Sequence, residues 1–110
     1  MPPTTLDDIT HREIILSLIL LKPGHRNFRV EDLKRGLGVA SNENPRLEIP
    51  SDSVDTTFFF YDHYLHGDLG LPHYRLNEYG QRCLQREFDR YSPELQNELR
   101  ELAGKVWQHH

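Results

Sequence analysis

Apolar residues recur at helical spacing in four stretches of this chain and gather at strand-like density in two more. The first helical stretch opens at Thr10-His11-Arg12-Glu13, which has the form of a capping box. There the Thr10 hydroxyl accepts the Glu13 amide while the Glu13 carboxylate reaches back. Ile9 before the cap and Ile14 after it supply the matching hydrophobic staple. Ile14, Ile15, Leu18, Ile19 and Leu21 cover more than half of the circumference, so this helix, near 10–22, is predicted to be central. Pro23-Gly24 ends it.

A second helix is predicted over 29–37, where Val30, Leu33 and Leu37 share a face after an extended start at Phe28. Gly38 provides a left-handed cap there. Residues 40–57 contain Pro45 and Pro50 and show no helical period, which predicts an irregular insertion with at most a very short strand at Leu47-Glu48-Ile49. Thr56 to Tyr61 is β-branched and aromatic throughout and predicts a strand near 57–61, buried on both sides. A turn region from Asp62 to Pro72 leads to the alternating His73-Tyr74-Arg75-Leu76, a second strand. Asn77 caps a helix over 77–91, with Tyr79, Leu84, Phe88 and Tyr91 apolar. Ser92-Pro93 starts the last helix, 93–107. Its seam of Leu95, Leu99, Leu102 and Val106, closed by Trp107, is either the lid of the chain's own core or a homodimer contact.

Composition narrows the class. A chain of 110 residues suits one domain. The expected division is a flexible arm over 1–8, a domain over 9–107 and a tail over 108–110 that also fits the start of a purification tag. The net charge of −4 argues against a general nucleic-acid coat, whose affinity comes from neutralising phosphates. Cys83 is the one cysteine, so no intramolecular disulfide or zinc ribbon is possible, and a reducing, cytoplasmic setting is expected. The N-terminus has no basic stretch of a signal peptide. The apolar run Ile14 to Leu21 is far shorter than the roughly 20 residues of a membrane span, so no membrane contact is expected.

Two stretches resemble the winged-helix fold. Phe28 to Val39, FRVEDLKRGLGV, looks like the second helix and turn of a helix-turn-helix. Tyr74 to Leu84, YRLNEYGQRCL, resembles the wing strand and final helix of MarR- and PadR-type regulators, with their Y-x-L-T-x-x-G-x-x-x-L pattern. It is also similar to the ending of small phage-associated proteins of the YwgA and Panacea antitoxin kind, as is the aromatic segment Phe58 to Tyr61. The resemblance implies an α+β, mainly α fold with a two-stranded wing and a long C-terminal helix, and in such regulators the terminal helices commonly dimerise. Asn77 stands where the pattern has threonine, and Arg29 where a capping serine or threonine is expected. After Gly38-Val39 the resemblance implies a recognition helix for the major groove. Here that window holds Pro45 and Pro50, and residues 40–57 set Arg46 against Glu43, Glu48, Asp52 and Asp55, a balance that repels phosphate.

Three constellations carry candidate chemistry. His63, His66, Asp68 and His73 have metal-ligand types, with His63 and His66 three residues apart, but no general base between them. The alternative is that these rings tile a turn, and no metal or cofactor is expected. Arg82, Arg86 and Arg90 recur every fourth residue, about 6 Å apart along one helix face. They either track phosphates or an acidic partner, or form a solvated face balanced by Glu78, Glu87 and Asp89. Lys34 and Arg35 belong to a second basic concentration with Lys22, His25, Arg26 and Arg29. Cys83 lacks a base and reads as a core thiol. No catalytic residue set is visible. The expectation is a non-enzymatic module that binds a protein partner, an antitoxin-like or inhibitor factor. The alternative is a DNA-binding transcriptional regulator.

Overall fold

In α1 (His11–Leu20) every residue from Ile14 to Leu20 is buried, Ser17 included, which places this helix at the centre of the core. The structure, a computed structural model of the chain, describes residues 4–23, 28–45, 47–67 and 73–107, and for 66, 67 and 73 the backbone alone. The start of α1 is as the sequence predicts. Glu13 N–H donates to Thr10 Oγ1 at 3.2 Å, and Thr10 N–H to Glu13 Oε1 at 3.1 Å. Ahead of it, the expected flexible arm folds from Thr4 onward. Leu6–Asp8 is a 3-10 turn whose Asp8 carboxylate accepts the Thr4 and Thr5 amides, and Leu6 N–H donates to Glu98.

Strand β1 (Phe28–Arg29) leads into α2 (Val30–Glu43), which runs six residues beyond the predicted end at 37. Gly38 does not cap this helix. Leu33, Leu37 and Ala40 form one buried stripe across it, and that burial outweighs the roughly 1 kcal/mol that a mid-helix glycine costs. Gly36 lies so close to α5 that a Cβ there would overlap the Val106 carbonyl.

The expected insertion over 40–57 is the main correction. Pro45 and Pro50 break no helix. They bracket a short connection, anchored by buried Leu47, between the end of α2 and the start of α3 (Ser51–Phe60). The predicted strand near 57–61 is therefore helix. Val54, Thr57, Phe58 and Tyr61 recur at helical spacing and turn inward, while the Thr57 hydroxyl donates to the Ser53 carbonyl at 2.7 Å. β-Propensity favoured a strand, but packing of this stripe against α1 prevails.

A 3-10 turn, Asp62–Tyr64, connects α3 to β2 (Leu65–Gly67), which lies within the segment expected to be only a turn. β3 (His73–Leu76) is where the sequence predicts it. The three strands form one antiparallel sheet in the order β1-β3-β2, with Phe28 opposite Tyr74 and Leu65 opposite Leu76. α4 (Glu78–Asp89) and α5 (Pro93–Val106) begin at the expected caps. Gly80 N–H donates to Asn77 Oδ1 at 2.7 Å and Leu95 N–H to Ser92 Oγ at 3.2 Å. α2 starts at Arg29 with no side-chain cap, the departure already visible in the sequence.

α5 lies across α1 and α2 and closes the core. Leu95, Leu99, Leu102 and Val106 are all buried within the chain, so of the two expectations for this seam the lid is the one realised. Trp107 completes it: its indole N–H donates to the Leu18 carbonyl at 2.8 Å and its ring meets Phe28 edge-on. At roughly 1.5–3 kcal/mol for each fully buried aliphatic side chain, this seam stabilises the monomer strongly. The result is an α+β, mainly helical chain.

Candidate interaction surface

Helix periodicity that buries Val54, Thr57 and Phe58 turns Asp52, Asp55, Thr56, Phe59 and Phe60 outward. Phe59 is 76% exposed and Phe60 64%, with their rings edge to face at 5.3 Å. Tyr79, at the start of α4, is also largely uncovered. Between them the turn after α3 carries a run of rings in mutual contact. Tyr61 lies 6.0 Å from His63 and 5.4 Å from Tyr64, while Tyr79 lies 6.3 Å from His63 and 5.6 Å from Tyr64. The Arg12 guanidinium sits over the Tyr61 ring at 5.5 Å.

Arg12 and Tyr61 form a ridge between two hollows. On one side an open groove of about 720 Å³ runs between the start of α1 and α3, lined by Asp52, Thr56 and Phe60. On the other a smaller hollow of about 310 Å³ reaches Glu87 and Arg90 at the end of α4. One surface thus joins the outward side of α3, the aromatic turn and the last part of α4.

The turn is fixed to α4 by backbone chemistry. Asn77 N–H donates to the Tyr64 carbonyl at 2.9 Å, and the Asn77 side-chain amide to the His63 carbonyl at 2.7 Å. Gly80 permits this approach, because a Cβ there would lie 2.5 Å from the Tyr64 oxygen. Burial pushes the Tyr64 phenol above its ordinary value, and the neighbouring Cys83 thiol adds to that shift. The Tyr79 phenol is raised chiefly by its hydrogen bond with Cys83. Cys83 is consequently half-buried beside two phenols and is not the core thiol that the sequence predicts.

Electrostatics divide this surface. From 51 to 62 the chain carries Asp52, Asp55 and Asp62 and no Lys or Arg. Asp55 holds Lys34 at 2.9 Å, and Arg35 lies 3.7 Å from Asp32, so carboxylates partly neutralise the second basic concentration. Arg82, Arg86 and Arg90 are exposed along α4 and make no ion pair among the described residues.

Of the metal-ligand candidates, the His63 side chain is half exposed, with Nδ1 4.0 Å from Asp62. Asp68 and the side chains of His66 and His73 lie outside the described residues, as do His25, Arg26 and Arg46. Among the described residues no group of three or more His, Cys, Asp and Glu side chains is arranged to hold a metal, and no helix is long and apolar enough to cross a membrane. Sequence reasoning missed Arg12, Phe59, Phe60 and Tyr79 as surface features. The signal was present: with Val54, Thr57, Phe58 and Tyr61 inside, Phe59 and Phe60 must face out.

No known protein family, curated protein or solved structure matches this chain.

Proposed function

We propose that this chain is a non-enzymatic protein-interaction module of winged-helix type, an antitoxin-like or inhibitor factor that binds through the outward side of α3. The winged-helix reading is supported by the order of elements: helix, strand, two helices, then a hairpin whose second strand pairs with the first strand. In that arrangement α3 occupies the place of the groove-reading helix. One observation carries the functional reading: α3 presents Asp52, Asp55, Phe59 and Phe60 outward and contains no cation to meet phosphate. Aromatic side chains typify protein interfaces, whereas duplex recognition relies on Lys and Arg.

The second reading is a DNA-binding regulator that uses Arg82, Arg86 and Arg90, and the exposure of these unpaired arginines favours it. Two measurements separate the readings. Anisotropy titrations with duplex and single-stranded DNA at physiological salt should give no affinity tighter than the non-specific range of about 1–100 µM. Affinity capture from the producing cells, with nuclease present, should recover protein from wild type and lose it with Phe59→Ser/Phe60→Ser. Tight duplex binding abolished by Arg82→Ala/Arg86→Ala/Arg90→Ala, with α3 changes silent, would refute the protein-binding reading.

A further inference from the structure

We propose that the partner this surface fits is a second copy of the chain, docked about a two-fold axis through the aromatic turn. The inference rests on the reading of α3 as a protein-binding face and deepens it by naming the occupant. A closed dimer needs a patch complementary to itself. Asp52 stands on α3 at one side of the aromatic run, beside the Asp55 that holds Lys34, and Arg86 and Arg90 stand on α4 at the other, with Glu87 next to Arg90. The two hollows that share Arg12 and Tyr61 tie these halves to one surface, with Asp52 lining one and Arg90 the other. Rotation by half a turn about the centre of such a surface sets Asp52 of each copy toward Arg86 and Arg90 of the other. The ring run meets itself in the middle.

Area supports the same occupant. At about 200 Å² per aromatic residue, the 76%, 64% and 56% exposures of Phe59, Phe60 and Tyr79 leave roughly 400 Å² of these three residues uncovered. That is about half of the ~800 Å² that each partner of a stable interface contributes. The C-terminal seam, which the sequence offered as either a lid or a homodimer contact, is buried in the monomer, so self-association requires a different face, and the aromatic one is exposed.

The test is sedimentation equilibrium on the full chain from micromolar concentration to about 1 mM, which populates any complex with a Kd below the millimolar range. A dimer is expected, weakened as salt rises because its charges are partly solvent-screened. Phe59→Ser/Phe60→Ser should weaken association by about tenfold or more, as loss of central aromatic anchors does. Asp52→Arg and Arg86→Glu should each weaken it alone, whereas mixing the two variant proteins should restore a heterodimer, because both cross-contacts regain opposite charges. All four positions are exposed, and far-UV circular dichroism checks that each variant folds. A chain that stays monomeric at about 1 mM and low salt, or a dimer indifferent to these substitutions and to mixing, overturns the proposal. The nuclease-resistant capture described above is read independently, so the two ideas fail separately.

Discussion

Adding one methyl group to either of two glycines should move stability in opposite directions, and the close approach at Gly80 predicts which way each goes. An ordinary exposed helical glycine gains about 1 kcal/mol on replacement by alanine through backbone entropy. At Gly38, in mid α2, a Cβ would meet nothing within 4 Å, so Gly38→Ala should be stabilising by about that amount. At Gly80 the same atom would stand 2.5 Å from the Tyr64 carbonyl oxygen, 2.9 Å from Tyr64 Cβ and 3.0 Å from Tyr64 Cα. Backbone, not a mobile side-chain tip, must move. That backbone is held by Asn77, whose amide donates to the same carbonyl at 2.9 Å, so relief of the overlap strains this bond. Overpacking costs about 1–3 kcal/mol and a weakened hydrogen bond about 1 kcal/mol. Against a gain of about 1 kcal/mol in helix propensity, Gly80→Ala should lose about 1–3 kcal/mol net. At about 4 °C per kcal/mol for a domain of this size, its Tm falls by about 4–12 °C while that of Gly38→Ala rises by about 4 °C. Calorimetry with matching urea titrations reads both. If Gly80→Ala melts at or above the wild-type temperature, the junction between the aromatic turn and α4 is not packed as described.

Other perturbations test the core and its titration. Leu99→Ala, which empties a fully buried lid position, should cost about 2–5 kcal/mol at every protein concentration; a loss that vanishes on dilution would restore the seam as a contact between copies. Trp107→Phe removes the donor to the Leu18 carbonyl and should cost about 1–3 kcal/mol in urea unfolding, against less than 0.5 kcal/mol if that bond is immaterial. The Tyr91 phenol, desolvated and set against the Glu13 carboxylate, is pushed up to about 12. Because its folded value lies above its unfolded one, near 10, its contribution is fully present below about pH 10 and is lost as pH rises toward 12. Tyr91→Phe should flatten the fall of the urea midpoint across that window, and an unchanged slope contradicts the assignment.

What was legible in the sequence was whatever depends on local chemistry. The capping box at Thr10 and Glu13, the Asn77 and Ser92 caps, and the stripe of Leu95, Leu99, Leu102 and Val106 act within a turn or two of helix, so spacing alone identifies them. The middle of the chain depended on tertiary contacts. Gly38 looks like a helix stop, and it is passed because Ala40 beyond it is buried. Thr56 to Tyr61 has strong β-propensity, yet Val54, two residues earlier, completes a helical stripe that packs against α1. The prolines read as helix breakers because their distance from α2 and α3 was unknown; they stand just outside each. As a result the candidate surface was only half visible. The sequence shows its arginines on a helix but predicts Phe59 and Phe60 in a strand buried on both sides.

The helical state of residues 51–60 is what connects fold to function here. As a central strand, the run Phe58-Phe59-Phe60 would place its rings on the two faces of a sheet and satisfy all of them in the interior. As a helix it buries Phe58 partly and leaves Phe59 and Phe60 in water, although the core is complete without them. Folding therefore gains little from those two rings, and in water they are an aggregation liability. Exposed aromatic patches often mark binding surfaces, which is the basis of the protein-binding role proposed for α3. Its carboxylates disfavour phosphate and its rings favour side chains and guanidinium groups, of which the exposed α4 of this chain carries three that make no ion pair among the described residues. Under the proposed two-fold docking, the exposed aromatic helix and the exposed arginines of α4 act together, and the charge-swap mixing experiment tests them as a pair.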